Sequence, residues 1–249
     1  MDAGDPPPVR VVNEGGKSRI VLVCEHASNW MPPEYARLGL PAADLQRHIA
    51  WDIGALDVAL RVSQALDATL VVAGASRLLI DLNRPTHAPS SIPELSESTV
   101  IPGNLDLPEA ERQKRIARWF TPFQTRLAAL LDQRVAQGGV SALIAVHSFT
   151  PVFLGQHRPW QAGMLYRRAA RLGAAMVQAM GGEGQGIAHN QPYQIDDASD
   201  YTIPVQGEAR GLDAVLVELR QDLIATPDGA ALWAAHLAAA LRACLPDLA

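Results

Sequence analysis

Cysteine is scarce in this chain, and so are the features of membrane-spanning and nucleic-acid-binding proteins. Cys24 and Cys244 are its two cysteines among 249 residues. They are far apart in the chain, and each lies in an apolar segment. The sequence therefore argues against a disulfide framework and predicts a protein of a reducing cytoplasm.

Basic clusters and long apolar runs are missing as well. Lysine and arginine total 21 against 26 aspartate and glutamate residues, a net charge of −5, and no basic cluster could follow a phosphate backbone. No apolar run approaches the roughly 20 residues of a membrane span. We expect a soluble globular protein that binds neither nucleic acid nor membranes.

Three common active-site motifs are also absent. The chain has no Gly-x-Ser-x-Gly elbow, so Ser148 next to His147 is a weak candidate for a serine nucleophile. It has neither a P-loop nor a Gly-x-Gly-x-x-Gly fingerprint, which leaves nucleotide binding without support.

What the chain does contain is a repeated pattern of apolar strands that end in polar, chemically active residues. Residues 20–24 are followed by Glu25 and His26, residues 142–146 by His147, and residues 214–217 by Glu218. In open α/β sheets, ligands bind at the carboxyl ends of the strands. The pattern therefore predicts one site built from these strand ends.

Strands that alternate with helices predict an α/β fold with three layers, in which helices cover both faces of a mostly parallel central sheet. We expect a flexible tail over residues 1–15 and a single domain over residues 16–249. The spacing of apolar residues predicts helices over 45–49, 53–66, 108–137 and 164–180 and a last helix from residue 227, with strands over 69–72 and 77–81. Residues 83–107 read as a long loop, and residues 184–212 as a polar loop or hairpin arm.

Two histidines and one carboxylate could form a metal site. His26, His147 and Asp52 supply the nitrogen and oxygen ligands that Zn²⁺ accepts, and three protein ligands leave a position for water. Asp52 could instead cap the helix that follows it. Glu25 is a weaker third ligand than Asp52, because neighbouring residues of a strand point to opposite faces.

Three further side chains are candidates for catalysis and substrate binding. Glu218 could act as a general base, since burial raises the pKa of a carboxyl group toward neutrality, or it could pair structurally with an arginine. Arg84 follows a predicted strand end, where its guanidinium could bind a substrate carboxylate in a bidentate manner, and Asn83 could add a hydrogen bond. His48 lies one helical turn before Asp52 and could support the metal site.

Taken together, five motifs in one order resemble the N-formylglutamate amidohydrolase family, also called N-formylglutamate deformylases. The motifs are CEHASN at 24–29, HIAWDIGA at 48–55, SRLLIDLNR at 76–84, AVHSF at 145–149 and VELRQDLI at 217–224. The resemblance extends over nearly the whole chain, from about residue 20 to the last helix.

This resemblance implies a fold like that of zinc-dependent exopeptidases of the carboxypeptidase type, and hydrolysis of an N-acyl amide, such as the N-formyl amide of N-formylglutamate. It implies one zinc ion per chain and a small anionic substrate. By the same resemblance His26 and His147 bind zinc, Glu218 is the base, and Arg84 with Asn83 binds the substrate α-carboxylate. Arg77 becomes a candidate for polarising the amide carbonyl, and two residues of the arm become candidates for reaching the substrate, Glu208 and Arg210.

The chain also departs from the related patterns. Carboxypeptidases hold zinc with His-x-x-Glu, whereas this chain has Asn29 three residues after His26, so we take Asp52 as the third ligand over Glu25 and Asn29. Family members have histidine where this chain has Gln124 and Gln206, which puts the substrate in question. Two alternative functions are a zinc peptidase of the same fold and a metal-free protein that binds a small acid without turnover.

Overall fold

A seven-stranded sheet organises the computed structural model, which describes residues 5–140 and 142–245. Its strands, numbered in chain order, are β1 Val9–Val12, β2 Ile20–Cys24, β3 Thr69–Ala73, β4 Ala142–Phe149, β5 Ala162–Leu165, β6 Ile187–His189 and β7 Asp213–Arg220. They lie side by side in the order β1, β3, β2, β4, β7, β5, β6. The four central strands run parallel, β5 and β6 are parallel to each other, and β1 and β5 pair antiparallel with β3 and β7.

Helices cover both faces of this sheet. They are α1 Ala55–Leu66, α2 Glu109–Arg115, α3 Thr121–Ala136, α4 Ala170–Ala179, α5 Gln221–Ile224 and α6 Pro227–Cys244, and a π-helical segment, Ile116–Phe120, joins α2 to α3. Ile20 and Leu22 of β2 pack with α1, α4 and α6 in one core. Val21 and Val23 pack on the opposite face with α3. Because neighbouring strand residues point to opposite faces, β2 needs an apolar side chain at every position. The predicted three-layer, mostly parallel α/β fold is confirmed.

The parallel arrangement brings three strand ends to one edge of the sheet. His26 follows β2, while His147 and Glu218 lie near the carboxyl ends of the neighbouring strands β4 and β7. His147 and Glu218 are partners in the register of these two strands. Neighbouring strands are about 4.8 Å apart and partnered residues of parallel strands point to the same face, so the two side chains share one side of the sheet.

The strand predicted over residues 77–81 is wrong. This segment is a buried turn, in which Leu78, Leu79 and Ile80 are at most 2% exposed. The hydroxyl of Ser76 donates to the Ala50 carbonyl and accepts from the Leu78 amide, while Arg115 donates to the Leu79 carbonyl. Side chains thus bond to backbone groups that a strand would pair with neighbouring strands. The apolar run at residues 78–80 therefore reflects burial and does not indicate a strand.

Three other boundaries differ from the sequence predictions. The helix predicted over 164–180 begins only at Ala170, because the preceding residues form β5 and pair with β7. The predicted arm, 184–212, contains β6, which joins the sheet beside β5. Part of the predicted N-terminal tail is the edge strand β1, while residues 1–4 lie outside the described part of the chain.

The helix predicted over 45–49 is a short 3-10 turn, Asp44–Gln46. The other predicted helices and the strand over 69–72 are confirmed, with ends shifted by a few residues. Among the described helices, none combines the length and the apolar character needed to cross a membrane.

Candidate metal centre and active site

The two histidines and the aspartate predicted as metal ligands converge at the carboxyl edge of the sheet. One nitrogen or oxygen from each of His26, Asp52 and His147 lies within 4.8 Å of the others, and all three residues are buried. Asp52 Oδ2 is 3.3 Å from His26 Nδ1 and 2.9 Å from His147 Nδ1. The sequence had left open whether Asp52 caps α1, and the structure turns its carboxylate to the histidines.

The backbone around Asp52 holds its carboxylate in this position. The Asp52 amide donates to the His26 carbonyl over 2.9 Å, which fastens the segment to the end of β2. Gly54 follows at a φ of +81°, and a Cβ there would lie 2.3 Å from the Ile224 carbonyl oxygen. Only glycine fits this turn, which reverses the chain between Asp52 and α1.

Each histidine is also held from its far side by a second carboxylate. His26 Nε2 is 2.8 Å from Asp81 Oδ1, and His147 Nε2 is 3.0 Å from Glu25 Oε2. Metal-binding histidines commonly donate their other ring N–H to a carboxylate, which fixes the tautomer and the ring orientation. The donor set therefore fits a divalent metal, with both Nδ1 atoms and Asp52 as the ligands.

This arrangement separates the three candidates for the carboxylate or amide ligand. Glu25 is occupied by the far nitrogen of His147. Asn29 donates its amide to the Leu45 carbonyl and to Gln46, away from the histidines. Asp52 is the one of the three that faces both Nδ1 atoms.

The charges of the site compensate one another. Burial raises the pKa of Asp52, but the charge of His26 and hydrogen bonds from both histidines overcome this and hold its pKa well below the usual range. Burial lowers the pKa of His147, but the charge of Glu25 and the bonds to Asp52 and Glu25 raise its pKa well above the usual value. Carboxylates face both ring nitrogens of His147, and they favour its protonated form when no metal is bound.

Among the described residues, Glu218 is the buried carboxylate of the site without an ion-pair partner. It is 6% exposed, and its Oε2 has no hydrogen-bond partner among the described residues. Burial raises its pKa to about 7, against the opposing effect of the His147 charge, and the charge of Asp52 adds to the rise. A carboxyl group with a pKa near neutrality can both accept and return a proton.

Arg77 lies in the wall of the site between two carboxylates. Its Nη2 donates to Asp81 Oδ2 over 2.6 Å, and its Nη1 donates to Asp52 Oδ1 over 3.3 Å. Burial opposes the charge of Arg77, but Asp81 and Asp52 raise its pKa above the ordinary value. Arg77 thus fixes the aspartate that faces the histidines and the aspartate behind His26.

Arg84 and Asn83, the predicted carboxylate binders, both line the cavity. Arg84 Nη1 donates to the Ser199 carbonyl and to Asp200 Oδ1, and within the described chain no hydrogen bond engages its Nε or Nη2. The Asn83 side chain accepts from the Thr202 amide over 2.9 Å and donates to Asp200 over 3.3 Å. Asn83 therefore anchors the 200–202 segment, while Arg84 keeps donors for a ligand.

The structure does not bring Glu208 and Arg210 to the cavity, so their predicted contact with the substrate is corrected. Glu208 is buried against Arg167 and the Arg168 amide. Arg210 pairs with Asp132 over 2.7 Å. Both residues close the end of the π-helical segment Thr202–Gly207, which directs their side chains away from the strand ends.

Gln124 and Gln206 also lie outside the cavity lining. Gln206 Nε2 donates to Gln124 Oε1 over 2.8 Å, and Gln124 Nε2 donates to the Leu82 carbonyl over 2.7 Å. Arg210 Nη1 donates to Gln206 Oε1. The two amides form a buried chain of hydrogen bonds that supports the loop before Arg84.

A cavity of about 450 Å³ opens over these groups. Its polar wall includes the candidate metal ligands, Glu218 and both arginines, and His48 reaches it paired with Glu97 at 3.1 Å. Sequence reasoning missed its apolar wall, which includes Pro93, Leu95, Phe149, Phe153 and Tyr193. Phe149 ends β4, and the other four lie in the connections between the strands of the main sheet, where no periodic pattern placed them at the cavity.

Comparisons with known proteins bear on this site. A family model described as N-formylglutamate amidohydrolase matches residues 18–225. Among solved structures, a gene product of Agrobacterium tumefaciens, Atu2144, is similar with 39% identity and a TM-score of 0.93, over 98% of this chain and 96% of that one. A comparison with curated proteins gave no significant match.

Two other solved structures are more distant. An N-formylglutamate amidohydrolase from Ralstonia eutropha JMP134 is similar with 19% identity and a TM-score of 0.65, over 95% of this chain and 97% of that one. A metallo-carboxypeptidase from Burkholderia cenocepacia has 12% identity and a TM-score of 0.39, over 98% of this chain and 66% of that one. The first of these shares the fold of this chain.

Proposed function

The chain belongs to the N-formylglutamate amidohydrolase family, and we propose that it is a metal-dependent hydrolase that releases formate from N-formyl amino acids such as N-formylglutamate. The observation that carries this proposal is the unpaired carboxylate of Glu218 beside the His26, Asp52 and His147 group. The reaction adds water across the formyl amide, which yields formate and the free amino acid.

We assign one Zn²⁺ per chain to His26, Asp52 and His147. A zinc ion held by two histidines and a carboxylate supplies Lewis-acid polarisation of a carbonyl and a nucleophilic water near neutral pH. Glu25 and Asp81 orient the two imidazoles from behind. The contacts of Asp52 with both histidines hold the three ligand groups close together.

Glu218 moves the proton of the reaction. Its carboxylate accepts the proton that the attacking water loses and then delivers it to the amide nitrogen as the carbon–nitrogen bond breaks. Base and acid are the same group at two stages, and a pKa near 7 suits both. The absence of a hydrogen-bond partner leaves Glu218 free to face the reacting atoms.

The two arginines take different parts in substrate binding. Arg84 binds the α-carboxylate through its Nε and Nη2 donors, held in place by Asp200 and the Ser199 carbonyl. Asn83 accepts a hydrogen bond from the Thr202 amide and so holds the 200–202 segment beside Arg84. Arg77 lines the same cavity and is the candidate for polarising the formyl oxygen while it holds Asp52 and Asp81.

We also propose that residues 16–249, together with the edge strand β1, act as one domain and that the protein works in the cytoplasm. The continuous sheet supports the first proposal, and the two distant cysteines support the second. Cys24 is the buried last residue of β2, and neither cysteine is in a disulfide.

Formate release tests the function directly. Protein purified without an affinity tag is assayed on N-formylglutamate and N-formylglutamine, before and after chelation and after zinc is restored. The proposal expects release that chelation abolishes and zinc restores. Release of C-terminal amino acids from peptides, without formate release from N-formyl amino acids, would support the peptidase alternative. Ligand binding without any turnover would support the alternative of a protein that binds a small acid.

A further inference from the structure

Carboxylates outnumber cations in the cavity wall. Five acidic side chains line it, whereas two arginines do so: Asp52, Asp81, Glu97, Asp200 and Glu218 against Arg77 and Arg84. A second carboxylate on a substrate would enter a wall whose carboxylates outnumber its arginines and whose three histidines are each already bonded to a carboxylate.

Each arginine of the wall, and each of its histidines, already has a carboxylate partner. Arg77 is shared between Asp52 and Asp81. His48 is paired with Glu97, and Glu97 is also 3.3 Å from Arg47. Arg84 retains donors beyond its contact with Asp200, and these suffice for one carboxylate.

Arg158 is the nearby arginine without a carboxylate partner in the described chain, and it lies against aromatic rings of the lining without lining the cavity itself. Its guanidinium lies over Phe153 at 4.5 Å, Tyr193 at 4.8 Å and Phe149 at 5.9 Å. Its Nη1 donates to the Tyr193 hydroxyl over 2.9 Å. The three rings line the cavity, whereas Arg158 does not.

The mouth of the cavity presents apolar surface to a substrate side chain. Leu95 and Tyr193 are 57% and 43% exposed, and both line the cavity together with Pro93 and Phe153. Exposed apolar side chains grouped at the opening of a polar site favour an apolar or neutral ligand portion.

We propose that this enzyme prefers N-formyl amino acids with an uncharged side chain over N-formylglutamate. The inference rests on the proposed function and names its substrate class. Arg84 binds the α-carboxylate, so a side-chain carboxylate would lose water without gaining a cation and would be repelled by Glu97 and Asp200. An uncharged side chain instead buries apolar area against the mouth.

The test compares substrates that differ in charge and hardly in shape. We expect kcat/KM for formate release to be at least about tenfold higher for N-formylglutamine than for N-formylglutamate, and N-formylmethionine to equal or exceed N-formylglutamine. The binding of the first two compounds to the Glu218→Gln variant, measured by calorimetry, gives the same preference without turnover.

Two matched variants show whether the wall charge is the cause. Glu97→Gln should reduce the preference for N-formylglutamine over N-formylglutamate by about three- to tenfold, since it removes one carboxylate from the wall. Glu94→Gln removes the same charge from an exposed position in the same loop, outside the cavity lining, and should leave the preference unchanged.

The inference and the function fail in different ways. Formate release with equal or greater efficiency on N-formylglutamate would overturn the inference and leave the function standing. No formate release from any of the three compounds would contradict the proposed function, and the calorimetric comparison would still decide the side-chain preference.

Discussion

Replacing Glu218 by glutamine should make the metal-free protein more stable at high pH while it abolishes catalysis. The folded protein holds the Glu218 carboxyl in a buried position with an unpartnered oxygen. Ionising it there is unfavourable, whereas in the unfolded chain it ionises freely in water. Glutamine keeps the size and shape of the side chain and carries no charge.

The magnitude follows from the pKa. Burial raises the pKa of Glu218 from an ordinary 4.5 to about 7, and one pKa unit corresponds to about 1.4 kcal/mol. Because the folded-state pKa is the higher one, the contribution to stability is fully present below pH 4.5 and is lost as the pH rises through 7. The wild-type protein therefore loses about 3 kcal/mol by pH 8 but only about 1 kcal/mol by pH 5.

Denaturant unfolding in the presence of a chelator measures this difference. Glu218→Gln should exceed the wild type by about 3 kcal/mol at pH 8, or roughly 6–12 °C in Tm, and by about 1 kcal/mol at pH 5. The exposed control Glu94→Gln should match the wild type at both pH values. A Glu218→Gln variant no more stable than the wild type at pH 8, or one with the same gain at both pH values, would refute the reasoning.

Three further predictions concern other parts of the site. Zinc binding to the metal-free protein at pH 7 should release about one proton per ion, because carboxylates favour the protonated form of His147 and the metal displaces that proton; calorimetry in buffers of different ionisation enthalpy measures this, and no release would contradict the state assigned to His147. Arg84→Gln should raise KM for N-formyl amino acids at least about tenfold with a smaller change in kcat, since it removes carboxylate binding; an unchanged KM would rule out that role. Gln124→Ala should lower the free energy of unfolding by roughly 1–3 kcal/mol, since the Leu82 carbonyl and Gln206 lose a buried partner, and kcat of the folded enzyme should stay near wild type; a large loss of kcat would place Gln124 in catalysis.

The groups at the strand ends could be predicted because a short stretch of sequence is enough to recognise an apolar strand and the residue at its carboxyl end. His26, His147 and Glu218 each follow or end an apolar run, and parallel pairing brings such ends together. Asp52 could be proposed only alongside a capping role, since its position depends on the turn at Gly54. The lack of the carboxypeptidase His-x-x-Glu pattern led us to take Asp52 as the third ligand, and the structure places its carboxylate against both histidines.

The supporting carboxylates could not be predicted in the same way. Glu25 was ranked behind Asp52 as a ligand, but its contact with the far nitrogen of His147 spans 122 positions of sequence. Asp81 was assigned to a strand that the structure replaces by a buried turn. Both contacts depend on the path of irregular backbone, which periodicity does not encode.

The residues predicted to bind the substrate lie in different places, because their positions also depend on the path of irregular backbone. Arg84 lies in the cavity wall because it closely follows the buried turn, whereas Glu208 and Arg210 come from an arm whose path the sequence left open. The arm contributes a strand to the sheet and a π-helical segment, and these turn the two residues toward Arg167 and Asp132. The aromatic wall was missed because Phe153 and Tyr193 lie in connections whose path brings them beside Phe149 at the end of β4.

Metal stoichiometry in matched variants tests the central claim most directly. Tag-free wild-type protein, Asp52→Asn and Glu94→Gln are reconstituted with zinc, dialysed and subjected to elemental analysis, and their zinc affinity is measured by competition with a chelator. The account predicts about one zinc per chain in the wild type and in Glu94→Gln, and an affinity at least about tenfold weaker in Asp52→Asn. Unchanged stoichiometry and affinity in Asp52→Asn would contradict the assigned ligand set, and a wild type that binds no metal would contradict the catalytic account.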